Sequence, residues 1–196
     1  MSELKVNKIS PATGTAFTLG DSGDTFTVPS GATFTNSGTA TGFGGGKVLQ
    51  CLSATKTDSA TNNNATFTTI SGLTVTITPS ASSKVLVMWH VTINGNNGGS
   101  GFQIVRGSTA ICIGDADGSR VRATGNTYDT LGGSHPTRAG QHLDDPSADG
   151  STAFTYAVQW RSDGTQTDYL NRSEDHQNNT DNTTSTSNIT VMEIGA

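Results

Sequence analysis

The sequence predicts an all-β protein in three parts: an N-terminal extended arm, an interwound trimeric β stalk, and an antiparallel β-sandwich head of jelly-roll type. Three observations lead there. A short phrase recurs as Thr15-Ala-Phe17-Thr-Leu19, Asp24-Thr-Phe26-Thr-Val28-Pro29-Ser30-Gly31 and Ala32-Thr-Phe34-Thr-Asn36-Ser37-Gly38. The composition joins 24 glycines and abundant Thr, Ser and Asn to only 14% charged residues. Thr fits a pleated surface and Gly and Asn accept turn dihedrals, so strands joined by turns are favoured and helix is not. Beyond residue 46, apolar residues recur at alternate positions in several runs, the period of a half-buried strand.

Residues 1–14 (MSELKVNKISPATG) place Leu4, Val6 and Ile9 at near-alternate spacing and stop at Ser10-Pro11. Proline bars continuation of the preceding conformation, so the segment is expected to be an extended arm laid against another surface, with Leu4, Val6 and Ile9 as its anchors.

Residues 15–44 carry the repeated phrases. Each is long enough for one strand and one turn, and a lone strand cannot bury its single Phe within its own chain. Copies of the chain wound about a common axis supply the missing partners, which places Phe17, Phe26 and Phe34 in the core of a trimer. Ser-Gly pairs at 22–23, 30–31 and 37–38 mark the turns. The rival account of this segment is a disordered Gly, Ser and Thr linker; the regular recurrence of Phe favours the stalk. Gly42-Phe-Gly44-Gly45-Gly46 breaks the period and is expected to be a hinge. It is not a phosphate-binding loop, because Gly46-Lys47-Val48 enters a strand where such loops require a helix and a Lys-Ser or Lys-Thr pair.

Residues 45–196 form the predicted head. Strand phrases fall at 47–54, 65–70, 73–79, 84–93, 101–106, 109–113, 153–161, about 166–170 and 188–194, enough for a two-sheet sandwich. Phe154, Tyr156, Val158 and Trp160 alternate with milder residues, as do Val85, Val87, Trp89, Val91 and Ile93. Leu86 and Met88 on the opposite face of the latter imply cover on both sides, either in mid-sheet or against a neighbouring subunit. Residues 114–151 and 171–187 lie outside the strand pattern, and loops of that length are disordered or functional.

Several functions are disfavoured. A net charge of -5 with no basic cluster argues against nucleic acid, and Arg106, Arg120 and Arg122 are expected to be solvated. No stretch has membrane-spanning length, and Met1-Ser-Glu-Leu-Lys-Val lacks the apolar core of a secretory signal, so no membrane insertion is expected and synthesis is cytoplasmic. Cys51 and Cys112 sit in apolar strand phrases and are expected as buried free thiols, a bridge between adjacent strands being the alternative. Sequons at Asn64, Asn171, Asn178, Asn182 and Asn188 follow from composition alone.

No catalytic constellation is present. His90, His135, His142 and His176 are dispersed, and no Ser lies in a Gly-x-Ser-x-Gly phrase, so the chain is expected not to be an enzyme. Asp115-Ala-Asp117-Gly118-Ser119 opens like a calcium loop, but position 126, where the bidentate Glu belongs, is Asn; a turn is expected, with no metal and no cofactor. Sugar binding needs aromatic faces and polar side chains. Tyr128, His135, His142, Tyr169 and Asn178 are the candidates, and their contacts are expected on the long loops rather than the strands.

Leu4-Lys-Val-Asn-Lys-Ile9-Ser-Pro11-Ala-Thr-Gly14-Thr and Gly23-Asp-Thr-Phe-Thr-Val-Pro29-Ser-Gly31-Ala-Thr-Phe-Thr-Asn-Ser-Gly38-Thr-Ala-Thr-Gly42 resemble the N-terminal stalk of virion fibre proteins from tailed phages, especially marine phages of cyanobacteria. Asn188-Ile-Thr-Val-Met-Glu193-Ile-Gly-Ala is similar to the closing strand of such fibres. The resemblance covers about the first 44 residues and the last nine; between them only a general β-rich likeness holds. It implies a homotrimer in the virion, assembled in the host cytoplasm, attached to another virion protein through the N-terminal arm and meeting host-surface glycans with its head. Only a few repeats are present where long fibres have an extended shaft. A short tail fibre, a collar appendage and a capsid decoration therefore all stay open.

Overall fold

A computed structural model describes residues 9–11, 13–16, 18, 20–33, 35, 37, 47–95, 99–129 and 134–196. The chain divides into two compact units, Met1–Phe43 and Gly44–Ala196. Among the described residues the protein is all-β, with antiparallel sheets and no helix.

Every strand among the described residues lies in the second unit: β1 Val48–Lys56, β2 Ala60–Asn62, β3 Thr68–Ile77, β4 Lys84–Asn94, β5 Gly101–Arg106, β6 Thr109–Ile111, β7 Gly125–Asn126, β8 Thr137–Asp144, β9 Phe154–Arg161, β10 Asp168–Leu170 and β11 Ser187–Ile194. One sheet runs β1-β11-β4-β10-β2 with β8 on β4, the other β3-β9-β5-β6 with β7 on β5. Strand β8 takes one edge of β4 from Val85 to Thr92. Strand β11 takes the other edge from Lys84 to His90, and β10 follows it at Ile93 and Asn94. Strands β10 and β11 therefore occupy one position in the sheet, interrupted by residues 171–186. The same holds for β1 and β2, which pair with β11 and β10 respectively. Each sheet thus has four strand positions.

The predicted stripes face each other across the core. Val85, Val87, Val91 and Ile93 are fully buried with Trp89 from one sheet, and Tyr156, Val158 and Trp160 meet them from the other. Ile189 and Val191 from β11, Ile104 from β5, and Ile70, Leu73 and Ile77 from β3 complete the cluster. Strand β4 lies in mid-sheet, the first of the two placements that Leu86 and Met88 implied. Gly140 on β8 has a packing role: a Cβ there would come 2.6 Å from Trp89 Cζ2, so only glycine lets the indole lie against this strand.

Several expectations need correction. The strands foreseen at 65–70 and 73–79 are one strand, β3, with an irregularity between Thr69 and Thr74. Gly72, at φ 90°, supplies the left-handed backbone that accommodates the bulge. The segment 114–151 is not strand-free: it contains β7 and all of β8. Alternation in β8 is carried by Arg138, Gly140, His142 and Asp144 on the inward side, which an apolar-period search cannot see. Both Cys51 and Cys112 are free and exposed rather than buried. Cys51 lies on the outward face of β1, and Cys112, at φ 53°, belongs to the turn after β6.

In the first unit, the turns expected at Ser22-Gly23 and Ser30-Gly31 are formed. Asp24 N–H donates to Asp21 O at 3.0 Å and Ala32 N–H to Pro29 O at 3.1 Å. Gly23 and Gly31 take φ of 98° and 84°, the left-handed geometry a type II turn places at its third residue. The described residues between these turns form no strand in the single chain. Phe26 is 65% exposed and Ile9 53%. Leu4, Val6, Phe17, Phe34 and the glycine run at 42–46 lie outside the described residues.

Glu193 is the least expected core residue, fully buried on β11. Burial alone pushes its carboxyl up, but the backbone N–H of Ser80 (2.7 Å), the Ser83 hydroxyl (2.8 Å) and the Gln50 amide (2.7 Å) all donate to it and hold it below the usual carboxylate range. Since the native state then binds fewer protons than the unfolded one, this stabilisation is full above the ordinary value of 4.5 and is lost as pH falls through the depressed native value. We expect acid titration of the folded chain to show less pH dependence in Glu193→Gln than in the wild type, measured by denaturant midpoints from pH 7 to pH 3.

Candidate functional site

The two ends of the head differ in kind. At one end the chain enters and leaves: Gly195 N–H donates to Lys47 O at 2.8 Å, and Val48 pairs with Ile194, which pairs with Lys84. The turn from Ser80 to Ser83 and the Glu193 carboxylate lie at this end. At the other end the long connections gather, where β4 ends, β5 begins and β9 ends.

Asn171 organises that second end. It is 1% exposed and sits at φ 60°, a conformation Asn tolerates better than most residues. Its backbone N–H donates to Thr92 O at 2.8 Å, which keeps it on the edge of β4. Its side-chain amide donates to Lys56 O (3.0 Å) and Asp58 O (2.8 Å), spanning the break between β1 and β2. Its side-chain oxygen accepts from the Ser187 hydroxyl at 2.7 Å, and that hydroxyl in turn accepts from Thr92 N–H. Ser185 N–H closes the base of the excursion on Asn171 O at 2.9 Å. One side chain thus ties both interrupted strand positions together and pinches off residues 172–184 as a loop. With both its amide hydrogens engaged inside the fold, Asn171 is not available as a sequon.

Of the five candidate sugar contacts, the structure brings some together. His135 Nε2 and the Thr183 hydroxyl are 3.3 Å apart, so the loop before β8 touches the loop that carries Asn178, which is exposed. Tyr128, 45% exposed, lies on the connection from β7, where Tyr128 N–H donates to Asn126 Oδ1. Tyr169 is on β10, opposite Asn94, whose side chain donates to Ser134 O beside His135. The Arg172 guanidinium lies 4.5 Å from the centre of the Tyr169 ring, so one face of the ring is already covered by a cation. His142 is not part of this group. It stands on β8 opposite Val87, on the inward face of an edge strand. Two of the five, His142 and Tyr169, are therefore strand residues, contrary to the loop placement expected for all of them.

Beside this cluster is an open cleft of about 400 Å³ at the end of the second sheet, lined by Phe67, Ser100, Arg120, Val121, Asn126 and Arg161 among others. Arg120 is exposed and paired with Asp117 at 2.7 Å, within the turn that Asp117-Gly118-Ser119 was expected to make. Arg161 donates through Nε to Ala65 O at 2.8 Å. The cleft offers two guanidinium groups, one amide and one aromatic edge, a set able to hydrogen-bond hydroxyls or carboxylates. Among the described residues no group of three or more His, Cys, Asp and Glu is arranged to hold a metal ion.

A third polar cluster was not anticipated. Asp144, within the segment 114–151 that lay outside the predicted strands, is 6% exposed and accepts from Arg106 at 2.6 Å and from the buried Tyr156 hydroxyl at 2.7 Å. Burial, reinforced by the neighbouring carboxylate, pushes the Tyr156 phenol far up, so it remains a donor. Burial works to lower the Arg106 pKa, but the Asp144 carboxylate outweighs it and raises it, so Arg106 stays a cation. The two bonds to Asp144 tie β8 to β5 and β9 across the sandwich. Arg106 is thus paired and half-buried rather than solvated.

In comparison with known proteins, no family model and no curated protein matches the chain.

We expect Asn171→Ala to cost about 2 to 4 kcal/mol, the sum of lost buried hydrogen bonds and left-handed strain, measured by chemical denaturation. Limited proteolysis of the same variant should cut first within 172–184; an uncut loop would show that another contact holds it.

Proposed function

We propose that the chain is a non-enzymatic structural protein of a tailed-phage particle: a short homotrimeric fibre anchored by its N-terminal arm, with a jelly-roll head that meets a host-surface glycan. The observation that carries this reading is the contrast between the two units. The head closes a core from its own two sheets, whereas Phe26, in the middle copy of the repeated phrase, is 65% exposed in the single chain. A large aromatic left in water within a repeated phrase calls for partners of the same kind.

The jelly-roll assignment is supported by strand order. Counting β1 with β2, β6 with β7 and β10 with β11 as single positions, the sheets run 1-8-3-6 and 2-7-4-5 in chain order. That alternation between layers is the pattern of two nested Greek keys. Placement of the loops supports a head that presents its loops outward: the chain enters at Lys47, at the end opposite the loops that carry Tyr128, His135 and Asn178. The arm residues Leu4, Val6 and Ile9 would bind another virion protein.

One observation favours a second reading, a collar or capsid decoration with no cellular ligand. Arg172 lies over Tyr169, so a face that a sugar ring would use is taken.

One measurement tests the assembly common to both readings and a second separates them. The native mass of the full chain should equal three copies; a monomer would sink the fibre. Binding of the purified chain to an array of bacterial surface polysaccharides at micromolar concentration supports the receptor role, and no retention on any of them supports decoration. Within the trimer, Phe26→Ser should lower the melting temperature of the N-terminal segment and leave the head transition unchanged, since each Phe moved from water to a core contributes about 1.5 to 3 kcal/mol. An unshifted first transition would show that Phe26 is not at the axis.

A further inference from the structure

The outward face of the first sheet carries a row of apolar side chains across all four strand positions. Pairing puts Cys51 beside Met192, Met192 beside Leu86 and Leu86 beside Leu143. The preceding row holds Val48, Ile194 and, at its end, Lys84, and the following one holds Ser53, Thr190, Met88 and Gln141. The next is Thr55, Asn188, His90 and Ala139. Directly opposed residues share a face in an antiparallel sheet, and these alternate with the inward Val85, Val87 and Trp89. Leu143 is 50% exposed and Val48 58%.

Two features distinguish this face from an ordinary wet surface. No Asp, Glu, Lys or Arg stands in the three rows from Cys51 to Ala139; the nearest charges are Lys84 and Asp145, paired with each other at the margin. Four of the six polar side chains in the rows, Ser53, Thr55, Asn188 and Thr190, also bond one another. Asn188 donates to the Ser53 and Thr55 hydroxyls at 2.8 and 2.7 Å, and the Thr190 hydroxyl bonds Ser53 and Asn188. Polar groups already paired in this way lose little when water is removed.

We propose that this face is where copies of the chain meet in the head, with Leu86, Met88 and Met192 packed against neighbouring subunits; this rests on the homotrimer of the preceding section. The occupant follows from area and tether. Four strands about 4.8 Å apart and rows spanning some 25 Å give roughly 500 Å² per copy, short of the about 800 Å² that a free-standing partner usually needs. A face this small holds only a partner already kept at high local concentration. Copies joined through the N-terminal segment meet that condition, because the apolar rows begin at Val48, the first strand residue after that segment in the chain.

The two cysteines provide an internal test in the unaltered protein. Both are exposed in the single chain, Cys51 on the proposed interface and Cys112 on a turn of the other sheet. The full-length protein is labelled with a maleimide under native conditions, each thiol is followed by peptide mass, and the native mass is taken from the same sample. Three chains with Cys51 at least about tenfold slower than Cys112 is the expected result, since reaction requires access to the thiolate. Three chains with equal rates at the two thiols would overturn the interface and leave the trimer standing. Any smaller assembly would overturn both.

Discussion

Apolar side chains of a β chain are buried only between two layers, and this chain has the material for two layers only from Val48 onward. That constraint divides the molecule. In the head, Trp89 and the valines of β4 face Tyr156, Val158 and Trp160 of β9, and the core is complete within one polypeptide. In the N-terminal unit the described residues make turns with glycine at the left-handed position, but Phe26 has no second layer to enter. The same shortage recurs on the outward face of the first sheet, where Leu86, Met88, Met192 and Leu143 have one layer beneath them and none above.

Polar interlocks then set the register of what the core holds together. Glu193 fastens the turn at Ser80 to the sheet at one end, and Asn171 fastens two interrupted strands at the other. In the same row of the sheet as Glu193, Asp144 draws Arg106 and Tyr156 from the second sheet onto β8 of the first. Each is a buried group with several donors or acceptors met by specific partners, so a shift of one residue would leave it unsatisfied. Such ties make the loop end a fixed scaffold. The exposed loop around Asn178 can vary without disturbing the strands that flank it, because Asn171 and Ser185 seal its base.

What was legible in the sequence follows from which signal each element carries. Strands β4 and β9 announced themselves because their inward residues are large and apolar at strict alternation. Strand β8 did not, since its inward positions are Arg138, Gly140, His142 and Asp144, each with a partner that only the fold supplies. The bulge in β3 read as a break between two strands because Ser71-Gly72 looks like a turn. Cys51 sat in an apolar phrase yet faces outward, since in a strand the neighbour of a buried residue is exposed, and Cys112 falls on the turn just beyond β6. Among the candidate contacts, Tyr128, His135 and Asn178 were picked from loop length and side-chain chemistry, and their loop placement is what the fold shows. Asn171 was visible only as a sequon, and nothing in the sequence marks a residue whose value lies in bonding Lys56, Asp58 and Ser187 at once. A non-glycine residue at positive φ leaves no sequence trace beyond its being Asn.

The account joins a self-sufficient head to a leader that depends on other copies, and so it makes the leader's order a function of assembly. Amide hydrogen exchange on the intact chain, read by peptide at concentrations above and below dissociation, tests this most directly. The account predicts that amides within 20–33 are protected in the assembled protein and exchange freely in the dissociated one, while β4 and β11 remain protected in both. Free exchange across 20–33 in the assembled protein, or equal protection there in the single chain, would contradict it.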